Sequence, residues 1–320
     1  MSKQEQKVKV LDCTIRDGGL VNNWDFSEDF VRQVYSSLSA AGVDYMEIGY
    51  KNSPKLVKSE GVGPWRFCDD AFIKEVIPEK TKTKLSAIVD VGRVDENDIL
   101  PANESPLDLI RVACYLKDVD KALELVKFFH QLGYETTINI MAVSNSMEYD
   151  LIAALEKINQ SPVDVAYIVD SFGSLYNQDF EYLINKFKTH APDKAFGVHA
   201  HNNLQMAFSN TLLSAQSGVT FLDSSIYGMG RAAGNCPTEL ILGYLKDPQY
   251  NVRPVYDVLE KLFIPLRDKI EWGYIIPYTI TGQLNEHPRS GMALRKSEQK
   301  NAFTAFYDKM TTVETMDSND

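Results

Sequence analysis

The chain predicts an α/β protein, a closed eight-stranded (β/α)8 TIM barrel, and three observations carry that reading. Apolar runs of strand length recur eight times along the 320 residues. Amphipathic stretches of helical period separate most of them. Polar residues with useful chemistry (Asp17, Lys51, Asp90, Asp170, His201, Tyr227) collect just after the runs end, which in a barrel is the catalytic rim. Near-continuous apolar strands alternating with helices imply a parallel sheet covered on both faces. An open doubly wound sheet is the competing arrangement, but the turn after the first strand lacks the GxGxxG spacing of a dinucleotide fold.

The predicted strands are 8–13, 45–50, 84–90, 107–114, 135–143, 164–170, 195–201 and 221–227. Helical patterns fall at 27–41, 69–76, 119–132, 147–158, 177–189, 204–217 and 238–245, and the linker 94–105 holds at most a brief helix. After about Pro248 the pattern changes: a helix over 255–272, a Pro/Tyr/Thr-rich loop over 274–288, a second helix over 290–307 and a frayed end from 311. The division is therefore a catalytic barrel at 1–247 and a helical C-terminal extension at 248–320. The extension is expected to close part of the barrel mouth or to make a homodimer contact.

Composition narrows the function classes. A net charge of −11 argues against a general nucleic-acid surface. The polar start fits no signal peptide, and no apolar run reaches the ~20 residues of a membrane helix. Cys13, Cys68, Cys114 and Cys236 are widely spaced, form no CxxC, and read as free thiols of a reducing cytosol.

Two of the five histidines, His199 and His201, stand two apart at the end of an apolar run. On a strand they point to the same side, where a pair of neutral imidazoles suits a divalent metal better than a core. The first strand ends in Arg16-Asp17-Gly18-Gly19. In a closed barrel, strands one and seven flank strand eight, about 10 Å apart across two strand spacings. Asp17, His199 and His201 can then meet at one ion and leave coordination sites open for water and substrate. Arg16 and Asp17 could equally form a salt bridge that locks a loop. After the eighth strand, Gly228, Gly230 and Gly234 let the backbone of 227–239 approach a ligand closely. Asn235 in that loop reads either as a neutral oxygen ligand of the metal or as a helix cap.

The Arg-Asp-Gly segment at 16–18, the His-x-His-Asn segment at 199–202 and the loop at 228–239 together resemble the DRE-TIM metallolyase superfamily over about residues 8–245. This HMG-CoA lyase-like group includes 3-hydroxy-3-methylglutaryl-CoA lyase, isopropylmalate synthase and 4-hydroxy-2-oxovalerate aldolase. The 228–239 loop and the helix start at 203–204 look closest to the aldolase's catalytic domain. The resemblance implies a metal site of Asp17, His199 and His201, with Mn²⁺ or Mg²⁺ as the usual ion and Zn²⁺ or Co²⁺ as alternatives. It implies catalysis through a metal-stabilised enolate, with Arg16 beside the enolate oxygen. Glu47 matches a strand-two glutamate common in the superfamily. Asp170 and Ser171 match a strand-six segment whose hydroxyl helps hold the substrate carboxylate.

Departures from the family pattern are also on the chain. Leu20 stands where the aldolase has its catalytic histidine, so either another group serves as base (a metal-bound water, Tyr50, Asp90, Glu47 or His287) or the chemistry differs. Arg231 replaces a small residue and could read an extra negative charge. The linker 51–68, with Lys51, Lys55, Lys58 and Arg66, reads as a cationic lid or as a solvated loop. The function expected is a metal-dependent aldolase or lyase acting on a small anionic 2-oxo acid. A Claisen-type acyl-CoA synthase and a non-catalytic metal-binding homologue are the alternatives.

Overall fold

A computed structural model describes residues 7–312. Eight strands close a parallel barrel in sequence order: β1 (Lys9–Asp12), β2 (Tyr45–Tyr50), β3 (Lys84–Asp90), β4 (Leu109–Cys114), β5 (Glu135–Ile140), β6 (Val165–Asp170), β7 (Ala195–Ala200) and β8 (Phe221–Ser224). Closure is made by β1 on β8, with Leu11 opposite Asp223 and Asp12 opposite Ser224. The helices between strands are α1 (Thr14–Asn22), α2 (Glu28–Ala40), α3 (Asp70–Val76), α4 (Val119–Gln131), α5 (Glu148–Gln160), α6 (Asn177–His190), α7 (Ala207–Gln216) and α8 (Thr238–Leu245). No helix among the described residues is long and apolar enough to cross a membrane.

Alternation along the strands sorts the side chains into two cores. Val10, Met46, Leu85, Ala87, Ile110, Val112, Ile138, Ile168, Val198 and Leu222 pack outward against the helices. Leu11, Tyr45, Leu109, Val165, Tyr167 and Phe221 form a separate cluster inside the barrel. In the strand register, Glu47, Arg111, Asp223 and His199 fall on the inward-facing positions of that set. The barrel is thus floored with hydrocarbon and carries a charged layer above it.

Several sequence expectations change. The segment after β1 is a helix, α1, rather than a loop. Asp12 starts it, accepting from the Thr14 N–H (2.9 Å) through Oδ1 and from the Thr238 hydroxyl (2.6 Å) through Oδ2. Glycine is a poor helix former, but a Cβ at Gly19 would lie 2.0 Å from the Trp24 indole. Close packing, which a local pattern cannot reveal, overrides propensity here. The strand predicted over 221–227 ends at Ser224, and the one over 135–143 ends at Ile140.

The loop predicted over 274–288 contains α11 (Ile276–Gln283), which buries Pro277, Tyr278, Ile280 and Thr281 and is started by proline in its first turn. The helix predicted over 255–272 is α9 (Arg253–Val258), a π turn (Leu259–Phe263) and α10 (Ile264–Arg267). The π turn stands just ahead of Pro265, which has no N–H to give. The helix predicted over 290–307 is two, α12 (Arg289–Arg295) and α13 (Phe303–Thr311), parted by the polar run 296–301. Most of the end expected to fray, 313–320, lies outside the described residues.

Candidate metal centre and active site

The carboxylate of Asp17 and the rings of His199 and His201 bring ligand atoms within 4.8 Å of one another, all buried. Asp17 rides on the first turn of α1, His199 on β7, and His201 just past its end. Two hydrogen bonds fix both rings in the same tautomer. His199 Nδ1 donates to Asp223 Oδ2 (2.9 Å). His201 Nδ1 donates to the Gly234 carbonyl (3.2 Å). Both acceptors lack a proton to give, so each ring carries its hydrogen on Nδ1 and keeps an Nε2 lone pair for a cation.

Electrostatics agree with that role. Burial, with Arg231 adding, drives the His201 pKa well below 6.5, so the ring stays neutral. Burial alone would raise Asp17, but the Arg16 guanidinium, with Arg231 adding, holds its carboxyl well below the usual carboxylate range. Asn235 does not cap a helix. Its Nδ2 donates to Asp17 Oδ2 (2.8 Å), while its buried Oδ1 has no partner among the described residues. A Cβ on Gly230 would lie 2.3 Å from that amide and 2.4 Å from Asp17 Oδ2, so only glycine lets the loop close over the carboxylate. One carboxylate, two Nε2 lone pairs and an orphaned amide oxygen form a mixed N/O donor set that fits a divalent ion. Cys13, which also comes near His199 and Asp223, is a poorer ligand. Its thiol donates to the Ser224 carbonyl (3.2 Å), and burial pushes its pKa well up.

An acid-stability prediction follows from His201. Between its folded value and about 6.5, the unfolded chain takes up a proton that the folded chain refuses, so acidification destabilises the fold. In denaturant melts of metal-free protein, wild type should lose about 1.4 kcal/mol relative to His201→Gln between pH 7.5 and 5.5. A pH-independent difference would refute the buried neutral ring.

A buried chain of charge stands behind the ligands. Asp17 Oδ1 accepts from Arg16 Nη1 (2.6 Å), and Arg16 Nε donates to Glu47 Oε2 (2.6 Å). Glu47 pairs with Arg111 (3.1 Å), and Arg111 Nη2 donates to Asp223 Oδ2 (2.6 Å). Arg111 also lies over the Tyr167 ring, 4.4 Å from its centroid. The expectation of a catalytic Glu47 fails. Its carboxylate is fully buried between two arginines and does not reach the cavity, so it positions Arg16 instead.

Arg111 and Asp223 were not anticipated from sequence. The signal was there: an arginine inside the apolar strand Leu109–Cys114 and an aspartate inside Phe221–Ser224. Asp223→Asn should weaken metal binding about 10- to 100-fold by loosening His199. Calorimetric titration checks this, and an unchanged Kd would count against the tautomer assignment.

A cavity of about 500 Å³ opens above the ligands, bordered by Arg16, Asp17, His199 and His201. Leu20, Ser171 and Arg231 line it too, with Tyr50 and Asp90 from the expected bases and His287 from the C-terminal helices. The backbone N–H of Arg231 donates to Asp17 Oδ2 (3.1 Å), and its guanidinium reaches the Ser171 carbonyl. Ser171 Oγ accepts from the Ala142 N–H (2.8 Å).

Asp170 is not among the lining residues. Burial pushes its carboxyl up to about 7, and it accepts from the backbone of Ser174 (3.0 Å) and Leu175 (3.3 Å), shaping the turn rather than meeting a ligand. Tyr50 is pushed up to about 12 by burial, so its hydroxyl keeps its proton. Burial and Arg231 push His287 down to about 4, leaving a neutral ring beside Arg231 (3.5 Å) and Phe172.

The 51–68 linker is no free cationic lid. Lys51 is buried against Asp70, Lys55 pairs with Asp95 and Asp98, and Gly63 N–H donates to the Asn23 carbonyl (2.8 Å). Among its four cations, only Arg66 lines the cavity.

Fold and site together define a closed barrel that gathers a carboxylate and two imidazoles, groups able to bind a metal, at the C-terminal ends of its strands. The chain matches the HMGL-like family over residues 7–260 and belongs to it; it is a carbon–carbon lyase of this metal-dependent family. Oxaloacetate decarboxylase of Mycobacterium tuberculosis is 29% identical over 249 residues, covering 77% of this chain and 72% of that protein. A 4-hydroxy-2-oxovalerate aldolase of Pelotomaculum thermopropionicum is 29% identical over 247 residues, with the same coverage of 77% and 72%. Among solved structures, the N-terminal domain of a candidate aldolase from Bacteroides vulgatus superposes with a TM-score of 0.78 at 28% identity, covering 93% of this chain and 100% of that one.

Proposed function

We propose that the protein is an aldolase of 4-hydroxy-2-oxo acids that uses Mn²⁺ or Mg²⁺, with the catalytic barrel at 1–247, an accessory segment at 248–320 and a cytoplasmic location. The observation that carries this reading is the meeting of Asp17, two Nε2 lone pairs and Arg16 at the base of one cavity. When bound, a divalent cation supplies Lewis-acid polarisation of a 2-oxo carbonyl and offsets the charge that develops there. Arg16 has committed Nε and Nη1 to carboxylates, which leaves Nη2 to donate to the same carbonyl oxygen. Arg231 and Ser171, across the cavity, hold the substrate carboxylate. Tyr50 donates a hydrogen bond rather than accepting a proton. Leu20 takes no part in proton transfer.

That leucine favours a second reading, decarboxylation of a 2-oxo diacid. Loss of CO₂ leaves the same electron pair on the substrate without removing any hydroxyl proton, and one relative is named for that reaction. Both readings share one test. Pyruvate incubated with the protein in D₂O, with Mg²⁺, Mn²⁺, Co²⁺ and Zn²⁺ in turn, should exchange its methyl protons, and EDTA should stop the exchange. Absence of exchange with all four ions would overturn the assignment to pyruvate-type chemistry.

A further inference from the structure

Arg66 is a guanidinium held in place with nothing to bind. It stands at the end of the short helical turn Pro64–Arg66 in the docked linker after β2. Its charged carbon lies 4.4 Å from the Trp24 ring centroid and 4.2 Å from that of Tyr50. Those two rings meet edge to face, with centroids 5.5 Å apart. Trp24 is itself fixed, since its Nε1 donates to the Arg16 carbonyl (2.9 Å). Trp65, next to Arg66, is fully buried and donates to the Phe26 carbonyl (2.9 Å). The Arg66 side chain is only 12% exposed, yet its one ion-pair contact among the described residues is Asp90 at 3.8 Å, beyond hydrogen-bond distance. Asp90 is already served by Arg93 (2.9 Å) and Asn52 (3.2 Å). Among the described residues, no side chain or carbonyl accepts a hydrogen bond from the Arg66 guanidinium, and the group lines the same cavity as Asp17, His199 and His201.

Free donors on a preorganised fork, packed on two aromatic faces, are what recognition of a planar or tetrahedral anion requires. In the outer part of the cavity cations outnumber carboxylates, with Arg66, Arg93 and Lys117 against Asp90 and Asp118. Arg93 and Lys117 line it, Lys117 without an ion pair among the described residues, in a chain whose net charge is −11. Arg231 and Ser171 account for the carboxylate of a 2-oxo acid, and Arg16 with the metal ligands for its carbonyl, which leaves this second cationic end unexplained.

We propose that Arg66 receives a second anionic group of the substrate, a carboxylate or a phosphate monoester carried on the aldehyde-derived half. This rests on the aldolase reading above and adds the class of aldehyde. Arg66 then sets specificity: the anion displaces the weak Asp90 contact and takes the guanidinium's free N–H groups.

The test runs in the condensation direction, with pyruvate and Mn²⁺-loaded protein. Butanal, succinic semialdehyde and glyceraldehyde 3-phosphate are the neutral, carboxylate and phosphate probes. Wild type should favour at least one anionic aldehyde over butanal by 100-fold or more in kcat/KM, mainly through KM, and the preferred arm tells carboxylate from phosphate. Arg66→Met should reduce that selectivity ratio at least 30-fold, and Arg66→Lys should recover part of it. Equal use of butanal and both anions by wild type overturns the proposal without needing a variant. So does an Arg66→Met protein that keeps the wild-type ratio. Failure of the aldolase reading looks different: pyruvate is consumed with none of the aldehydes and its methyl protons do not exchange, and the Arg66 assignment falls with it.

Discussion

Asp17→Ala is expected to abolish divalent-metal binding and to lower kcat on the order of 10³-fold, with the fold intact. The carboxylate does three things at once. It offers the one anionic ligand of the cluster, it accepts Arg16 Nη1 at 2.6 Å, and it anchors the Gly-rich loop through the Arg231 N–H and the Asn235 amide. Two neutral imidazoles without a carboxylate retain little affinity for a hard divalent cation. Arg16 would keep Glu47 but lose the partner that aims it. Loss of the Lewis acid and misplacement of one fixed cation each remove several kcal/mol of charge stabilisation. Calorimetry with Mn²⁺ and a steady-state assay check the two parts separately. A variant that binds Mn²⁺ within about threefold of wild type would sink the proposed ligand set.

The largest effect on stability should come from Arg111→Met. Arg111 is fully buried and joins Glu47 to Asp223. Burial disfavours its charge, but the two carboxylates more than offset this and hold it firmly protonated. A methionine fills much of the same space over the Tyr167 ring yet leaves two carboxylates facing each other in a dry barrel. Removing one partner of a buried ionic set costs about 3–5 kcal/mol, or roughly 4–8 °C in Tm for a chain of this size. Adding Glu47→Gln should return part of the loss, because it takes away one of the stranded charges. Thermal unfolding of both variants decides the matter. A single variant within 2 °C of wild type would show that the charged layer is not the strut described above.

This layer explains why the site was only half legible from sequence. Strand and helix periods are local, so the eight-strand alternation, the barrel and the turn positions of His201 and Arg231 could be read directly. Asp17, His199 and His201 were legible for a related reason: strand ends in a barrel converge whatever the intervening helices contain. The role of Glu47 was misread because its fate depends on Arg111, which lies on another strand. The partner of a buried charge is set by register across the barrel, which no local pattern encodes. Asp170 was misread for the opposite reason: its partners are two backbone N–H groups four and five residues on, and a motif does not reveal which way a carboxylate turns.

The order of residues alone determined that this chain closes a parallel barrel and carries a carboxylate and two imidazoles to one rim, since periodicity and strand count leave few alternatives. Tertiary packing alone decided three further things. Asp223 and the Gly234 carbonyl choose the tautomer of each ring. Two arginines share the charges beneath Asp17 and the two rings. Arg66 and His287, far in sequence from Asp17, His199 and His201, share one cavity with them. Each of these depends on groups brought together by the closing of β1 on β8 and by the folding back of the C-terminal helices, and desolvation gives such contacts their strength only once the barrel has formed.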